Sequence, residues 1–226
     1  MFLGRLAMPS TAASEPLFCR KKIHVYMRTY YKFISADKTY IEDVFLHSHL
    51  YMTNYIGMQN GNDDSEGIYW LDNSISEYLR DKVRSEKEKY MICCLTNKMR
   101  NAHMWQEFAN NGNGICIAVR PKVADIVSFR AIYDNNRPYI SPKQFKNLPP
   151  EKIAEEILKY KLSSFSNENE TRILRSVSDG RISDFLSVYI DRLYLGWNLS
   201  ESKEQEFRKY ASDANVKVIK LRKPVL

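Results

Sequence analysis

The chain has 226 residues and carries 34 lysines and arginines against 27 aspartates and glutamates, which gives a formal net charge of +7. Its hydrophobic content of 44% is that of a globular protein, and no run of about 18 apolar residues predicts a transmembrane helix. The positive charge permits an anionic partner, either nucleic acid or a phosphorylated cofactor, and fits a soluble basic protein with neither.

Elements can be predicted along the chain from apolar periodicity and turn residues. Residues 1–22, with small residues and two prolines, are predicted to be a flexible N-terminal arm, and 23–226 to be one α+β domain. In the first part of the chain we expect a strand at 23–27 or 30–33, a helix capped by Asp37, a strand at 50–53 and a loop at 57–67. In the middle part we expect a helix at 76–89, a strand at 90–95, a helix at 102–110 and strands at 114–119 and 127–133. In the last part we expect a helix at 150–160, strands at 170–175, 186–190 and 192–197, a helix at 200–211 and a strand at 216–221.

The order of these elements predicts the fold class. Short helices interrupt the strands irregularly, and neither a repeat nor a linker-like segment divides the chain. This pattern favours a single α+β domain with a mixed or split β-sheet flanked by short helices.

The cysteines indicate a reducing compartment. Cys93, Cys94 and Cys116 lie in apolar strand-like runs, which is typical of buried free thiols, and no Cys-x-x-Cys pair is present. Residues 1–13 lack the sustained apolar core of a signal peptide. We therefore expect a cytoplasmic protein without a membrane partner.

Charged residues at a spacing of two form one candidate site. Glu168, Glu170 and Arg172 would project from the same face of a strand. Either they form a solvated row of paired charges, or one carboxylate faces a cleft while Arg172 orients it or binds an anion. Lys32, among aromatic residues, is similarly either a lysine that reaches water or a cation positioned for a phosphate.

The histidines do not predict a metal site. His47 and His49 would place two imidazoles on one face of an extended segment, but no acidic ligand set is evident beside them. We therefore expect surface or core-edge histidines and no bound metal.

A series of short motifs follows in a fixed order from residue 30 to about 221. The motifs are Tyr31-Lys32-Phe33, Leu50-Tyr51-Met52-Thr53, Asn62-Asp63, Ile92-Cys93-Cys94-Leu95-Thr96, Met104-Trp105-Gln106-Glu107-Phe108-Ala109, Gly114-Ile115-Cys116-Ile117, Lys161, Phe165, Glu168-Asn169-Glu170-Thr171-Arg172 and Tyr194-Leu195-Gly196. In this order the motifs resemble those of an uncharacterised, mostly bacterial family, domain of unknown function 2971. Three departures from the pattern of that family are Asp64 for a proline, Phe108 for a tyrosine and Phe165 for a tryptophan.

The order of these motifs has a weaker resemblance to ADP-ribosyltransferases. That resemblance implies a cation on the first strand that holds NAD, hydroxyl or aromatic residues on a second strand, and a late Glu-x-Glu whose carboxylate stabilises the cationic ribose. It assigns Glu170 and Glu168 as catalytic residues, and Lys32, Tyr51 and Thr53 as cofactor-binding residues. We also expect Arg172 and Trp105 to bind the cofactor, although the helical spacing of Met104, Trp105 and Phe108 favours core packing.

The resemblance implies a function, with alternatives left open. We expect NAD-dependent ADP-ribosyl transfer to an acceptor macromolecule, protein or nucleic acid, by a toxin or phage-defence effector. The alternative is a non-catalytic nucleic-acid-binding module of a bacterial defence system, favoured by the positive charge and the 15 tyrosines. A third class, metal-dependent nucleic-acid cleavage, lacks a ligand cluster in the sequence.

Overall fold

The computed structural model describes residues 28–59, 70–71, 73–122, 126–136 and 139–223. The predicted arm at 1–22 and the alternative first strand at 23–27 lie outside these residues, as does most of the predicted loop at 57–67. Among the helices that the structure describes, none has the length and apolar character needed to span a membrane.

The strands of the described residues form one large sheet and two small ones. Five strands close into a ring in the order β1, β5, β11, β2 and β4, because β1 pairs with β5 on one side and, through Tyr31 and Thr96, with β4 on the other. The strands are β1 (Tyr30–Ser35), β2 (His49–Thr53), β3 (Trp70–Leu71), β4 (Tyr90–Thr96), β5 (Gly114–Pro121), β6 (Val127–Arg130), β7 (Ile132–Tyr133), β8 (Tyr139–Ile140), β9 (Tyr160–Lys161), β10 (Glu170–Ser176), β11 (Ser183–Leu195) and β12 (Lys217–Lys220).

The ring is extended on two sides. β10 pairs with β4 and then with β6, both antiparallel, whereas β12 runs parallel to β11. The small sheets are the parallel pairs β3–β8 and β7–β9. The sheet is therefore mixed, as predicted.

Short helices lie between the strands and complete a single α+β domain, which confirms the predicted fold class. The helices are α1 (Ile41–His47), α2 (Tyr55–Gln59), α3 (Glu77–Glu88), α4 (Ala102–Glu107), α5 (Pro142–Asn147), α6 (Pro150–Ile157) and α7 (Glu201–Asp213), with 3-10 helices at Asn110–Gly112 and Ser163–Glu168.

Alternate side chains of the ring strands build the main core. Met91, Cys93 and Leu95 of β4 are buried in the same hydrophobic cluster as Phe207 of α7. Cys93 and Cys116 are buried free thiols, as predicted, whereas Cys94 is half-buried. Successive side chains of a strand point to opposite faces, so Tyr90 and Ile92 of β4 are buried in a second cluster on the other face.

Some predicted boundaries are corrected by local geometry. The two strands predicted at 186–190 and 192–197 are one strand, β11, whose pairing with β5 shifts between Ile190 and Arg192. The first three residues of the loop predicted at 57–67 are helical instead, because α2 continues to Gln59. A helix predicted to continue to residue 110 ends at Glu107, after which the 3-10 helix Asn110–Gly112 leads into β5.

Helix α4 borders the candidate site, and local geometry defines its start and the segment that follows it. At its start, Asn101 accepts a hydrogen bond from the backbone N–H of Met104, which caps the helix. Beyond its end, Gly112 adopts a φ of +80, and a Cβ there would lie 2.3 Å from the ring of Trp197. Glycine alone meets both requirements at this position.

Candidate functional site

A cavity of about 550 Å³ opens between the first two strands, α4 and the start of β10. Its volume lies within the range of small-molecule and cofactor sites. The residues that line it are Tyr31, Lys32, Phe33, Tyr51, Thr53, Met58, Ile92, Cys94, Leu95, His103, Met104, Glu107, Phe108, Lys161, Ser164, Phe165, Glu168 and Glu170.

Two buried carboxylates meet at one ammonium group on the cavity wall. Lys161 Nζ donates hydrogen bonds to Glu168 Oε2 and to Glu170 Oε2, each at 2.9 Å. The ammonium also lies 4.7 Å from the ring centroid of Phe165, a cation–π distance. Because all three charged side chains are at least nine-tenths buried, their interaction is strengthened by the exclusion of water.

The local chain path explains how the two glutamates converge. Glu168 ends the 3-10 helix Ser163–Glu168, and Asn169 follows with a φ of 50 and a ψ of 46, the left-handed conformation that asparagine tolerates. Of the two glutamates, only Glu170 belongs to β10. The prediction that Glu168, Glu170 and Arg172 form one row on a strand is therefore wrong for Glu168, which reaches Lys161 from a turn.

Arg172 supports Glu170 from behind the cavity wall. Its Nε donates to Glu170 Oε1 at 2.5 Å and its Nη1 donates to the backbone oxygen of Leu158 at 2.8 Å. Arg172 has no exposed surface and Glu170 is 3% exposed, so the interpretation as a solvated charge row is wrong. Arg172 orients the carboxylate. It is not among the residues that line the cavity, so the structure does not place it where the predicted cofactor-binding role would require.

The two glutamates differ in their protonation behaviour. Burial raises the pKa of Glu168 to about 7, against the opposing effect of the Lys161 ammonium. Burial acts in the same direction on Glu170, but the charges of Arg172 and Lys161 prevail and hold the pKa of Glu170 well below its usual range. The cluster therefore pairs a carboxylate that is always ionised at neutral pH with one that exchanges a proton there.

Three further residues predicted from the sequence lie on the same cavity wall. Lys32 Nζ donates to the backbone oxygen of Cys94 at 3.1 Å, which holds the ammonium at the cavity. Tyr51 and Thr53 project from one face of β2, and the Thr53 hydroxyl donates to the backbone oxygen of Ile182 at 3.2 Å. The structure thus brings Lys32, Tyr51 and Thr53 together with both glutamates.

Trp105 is placed in the core instead. It is 3% exposed, packs edge-to-face on Phe33 with ring centroids 5.1 Å apart, and donates from Nε1 to the backbone oxygen of Met99. Its neighbours on the helix, Met104 and Phe108, line the cavity, but Trp105 does not. The structure therefore shows core packing for Trp105 and does not place it where the predicted cofactor-binding role would require.

Sequence reasoning gave no role to several residues on the cavity wall. Lys161 belongs to the motifs of the family resemblance, and its pattern alone gives no sign that it joins the two carboxylates. His103 and Glu107 reach the cavity from successive turns of α4. Their four-residue spacing on a helix was a usable signal, since such residues share a face.

The two neighbouring histidines have an acidic partner that the sequence did not make evident. Asp43, on α1, accepts a hydrogen bond from His47 Nδ1 at 2.7 Å and from His49 Nε2 at 2.6 Å. These residues are not among those that line the cavity, so they form a separate cluster.

Comparison with protein-family models, with curated protein sequences and with solved structures gives no match for this chain. The resemblance to domain of unknown function 2971 therefore remains a prediction from the motifs.

Proposed function

We propose that the protein is an NAD-dependent ADP-ribosyltransferase whose active site is this cavity. One observation carries the proposal: Lys32 of β1, Tyr51 of β2 and Glu170 of β10 line the same cavity of about 550 Å³. The proposal includes a fold of the ADP-ribosyltransferase kind, in which the site lies between β1, β2 and the start of β10.

The residues present fit the chemistry of NAD. Lys32 offers an ammonium group for the pyrophosphate, and the half-exposed ring of Tyr51 offers a surface for a nucleobase or nicotinamide. Thr53 lies beside Tyr51 on the cavity wall and adds a hydroxyl oxygen that can accept a hydrogen bond from a ribose hydroxyl. The apolar wall of Met104 and Phe108 would exclude water from the reacting bond.

Each buried charge then has a distinct role. NAD, when bound, would supply a glycosidic bond that breaks with its electron pair leaving on nicotinamide, and positive charge would develop on the ribose. The ionised Glu170 would stabilise that charge, with its carboxylate held in position by Arg172. Glu168, with a pKa of about 7, would accept the proton of the incoming hydroxyl or amine as that group bonds to the ribose carbon. Lys161 holds the two carboxylates together, because its ammonium group is hydrogen-bonded to both.

The experiment is release of nicotinamide from NAD, followed by transfer of labelled ADP-ribose to proteins and nucleic acids of a cell extract. Replacing Glu170 by glutamine should lower the rate, measured on protein shown to be folded, by about a hundredfold or more, the typical cost of losing one electrostatic stabiliser. Glu88→Gln, at an exposed position of α3, is the matched control and should retain the parental rate. A parent protein that neither binds nor consumes NAD would end the proposal.

A non-catalytic nucleic-acid-binding function is the second candidate, and one surface favours it. Tyr189 is exposed on β11, and the cations of Arg120 and Lys122 lie 5.4 and 4.9 Å from its ring centroid. Aromatic rings beside cations suit stacking of bases along a phosphate backbone. Binding to mixed-sequence RNA or DNA that is lost in Tyr189→Ala, in a protein that leaves NAD intact, would favour this candidate over the enzyme.

A further inference from the structure

We propose that Asp43, His47 and His49 form a binding site for one divalent transition-metal ion of the Zn²⁺ class. Their ligand atoms, one from each residue, all lie within 4.8 Å of one another. His47 Nδ1 is 2.7 Å from Asp43 Oδ1, and His49 Nε2 is 2.6 Å from Asp43 Oδ2. Two imidazole nitrogens and a carboxylate are thus gathered in one place.

The backbone holds these residues together with little freedom. Asp43 and His47 are four residues apart on α1, so they share one face of the helix. The helix ends at His47, Ser48 turns the chain in the left-handed conformation with a φ of 50, and β2 begins at His49. All the ligands therefore come from a single helix–turn–strand junction, which a metal could occupy without rearrangement of the fold.

Ring contacts fix the imidazoles further. The rings of His47 and His49 are stacked with centroids 5.3 Å apart, and the ring of His49 is stacked on Phe185 at 4.1 Å. The side chain of His49 is only 16% exposed, whereas His47 and Asp43 are 54% and 43% exposed. His49 is therefore held in place, and His47 and Asp43 are open to solvent, so that an ion can enter the site.

The donor set selects the kind of ion. Imidazole with carboxylate suits Zn²⁺ and neighbouring transition metals, whereas Mg²⁺ and Ca²⁺ prefer oxygen ligands alone. Without metal, one ring nitrogen of each histidine donates a hydrogen bond to Asp43. In the bound state that ring nitrogen gives its lone pair to the ion, and the proton of a neutral imidazole moves to the other ring nitrogen. Three protein ligands leave one tetrahedral position for water.

Titration of untagged protein with Zn²⁺, and separately with Mg²⁺, tests the site. We expect one Zn²⁺ per chain and no comparable binding of Mg²⁺. His47→Gln should lower the Zn²⁺ affinity by about a hundredfold or more, since losing even an outer partner of a ligand costs 10- to 100-fold. Because the side chain of His47 is exposed, this variant should still fold. His103→Gln, a histidine outside the cluster, is the control and should bind normally.

A second readout distinguishes a real site from loose surface binding. Zn²⁺ at about a hundredfold excess over its dissociation constant should raise the melting temperature by about 5 °C, and should fail to do so in His49→Gln. Absence of Zn²⁺ binding in the parent protein would overturn the proposal. So would binding that persists in both His47→Gln and His49→Gln. Neither result depends on whether the protein consumes NAD.

Discussion

The two glutamates that share Lys161 should respond in opposite directions to the same substitution. Glu168→Gln should stabilise the protein at about pH 8, whereas Glu170→Gln should destabilise it there. Both substitutions keep the shape of the side chain and remove its charge. The opposite signs follow because burial dominates at Glu168, whereas the charges of Arg172 and Lys161 dominate at Glu170.

The magnitude for Glu168 follows from its raised pKa. A carboxyl whose folded-state pKa lies above its unfolded value contributes stability that is present below the unfolded pKa and lost as pH rises through the folded pKa. For Glu168 this window runs from 4.5 to about 7. Above it the buried charge costs on the order of 3 kcal/mol, because one pKa unit corresponds to 1.36 kcal/mol. Glu168→Gln should recover about that amount at pH 8 and nothing below pH 4.

The magnitude for Glu170 follows from its two cationic partners. Its pKa is depressed, so its contribution is present above the ordinary pKa of a glutamate and is lost only as pH falls towards the strongly acid folded value. Removing one partner of a buried ion pair costs about 3 to 5 kcal/mol. Glu170→Gln should therefore lower the free energy of unfolding by about that amount across the neutral range.

The assay is urea unfolding of the parent and both variants at about pH 8 and about pH 5. The free energies are compared when the dependence of the free energy on urea concentration is the same in all three proteins. Glu88→Gln, exposed on α3, is the control and should change little at either pH. If Glu168→Gln destabilised the protein at pH 8 as much as Glu170→Gln, the reasoning that burial dominates at Glu168 would be refuted.

Three further substitutions test the fold. Phe207→Ala should lower the free energy of unfolding by about 3 to 5 kcal/mol, because the ring is 1% exposed in the main core; urea unfolding measures it. Gly196→Ala should lower the melting temperature, because its Cβ would lie 2.2 Å from the backbone oxygen of Gly112; a melt close to the parental one would contradict that contact. Arg120→Ala should change stability by less than about 1 kcal/mol despite its hydrogen bonds to Asp191, because that pair is partly exposed; a larger loss would count against this estimate.

Regular elements were predictable because their side chains alternate or repeat with a clear period. The apolar runs of β4 and β5 predicted two buried strands, and both start at the predicted residue and end one or two residues beyond the predicted end. The alternating charges of α3 predicted a solvated helix in the same way. In each case the local pattern and the tertiary environment agree.

The details of the candidate site were less predictable because they depend on a single turn and on distant partners. A spacing of two predicted that Glu168 and Glu170 share a strand face, but Asn169 turns the chain without a glycine to mark it. The hydrogen bonds from Lys161 to the two glutamates form only when the fold brings β9 and β10 together. Similarly, the contact of Asp43 with His49 depends on α1 ending at His47, a boundary that periodicity does not specify.

The pH dependence of nicotinamide release from NAD tests the central claim most directly, because it joins the cavity, the reaction and the shared ammonium in one measurement. The account predicts that the parent protein releases nicotinamide at a rate that rises through the pKa of Glu168, about 7. This rise should be absent in Glu168→Gln and retained in Glu88→Gln. No nicotinamide release at any pH, from protein shown to be folded, would contradict the account.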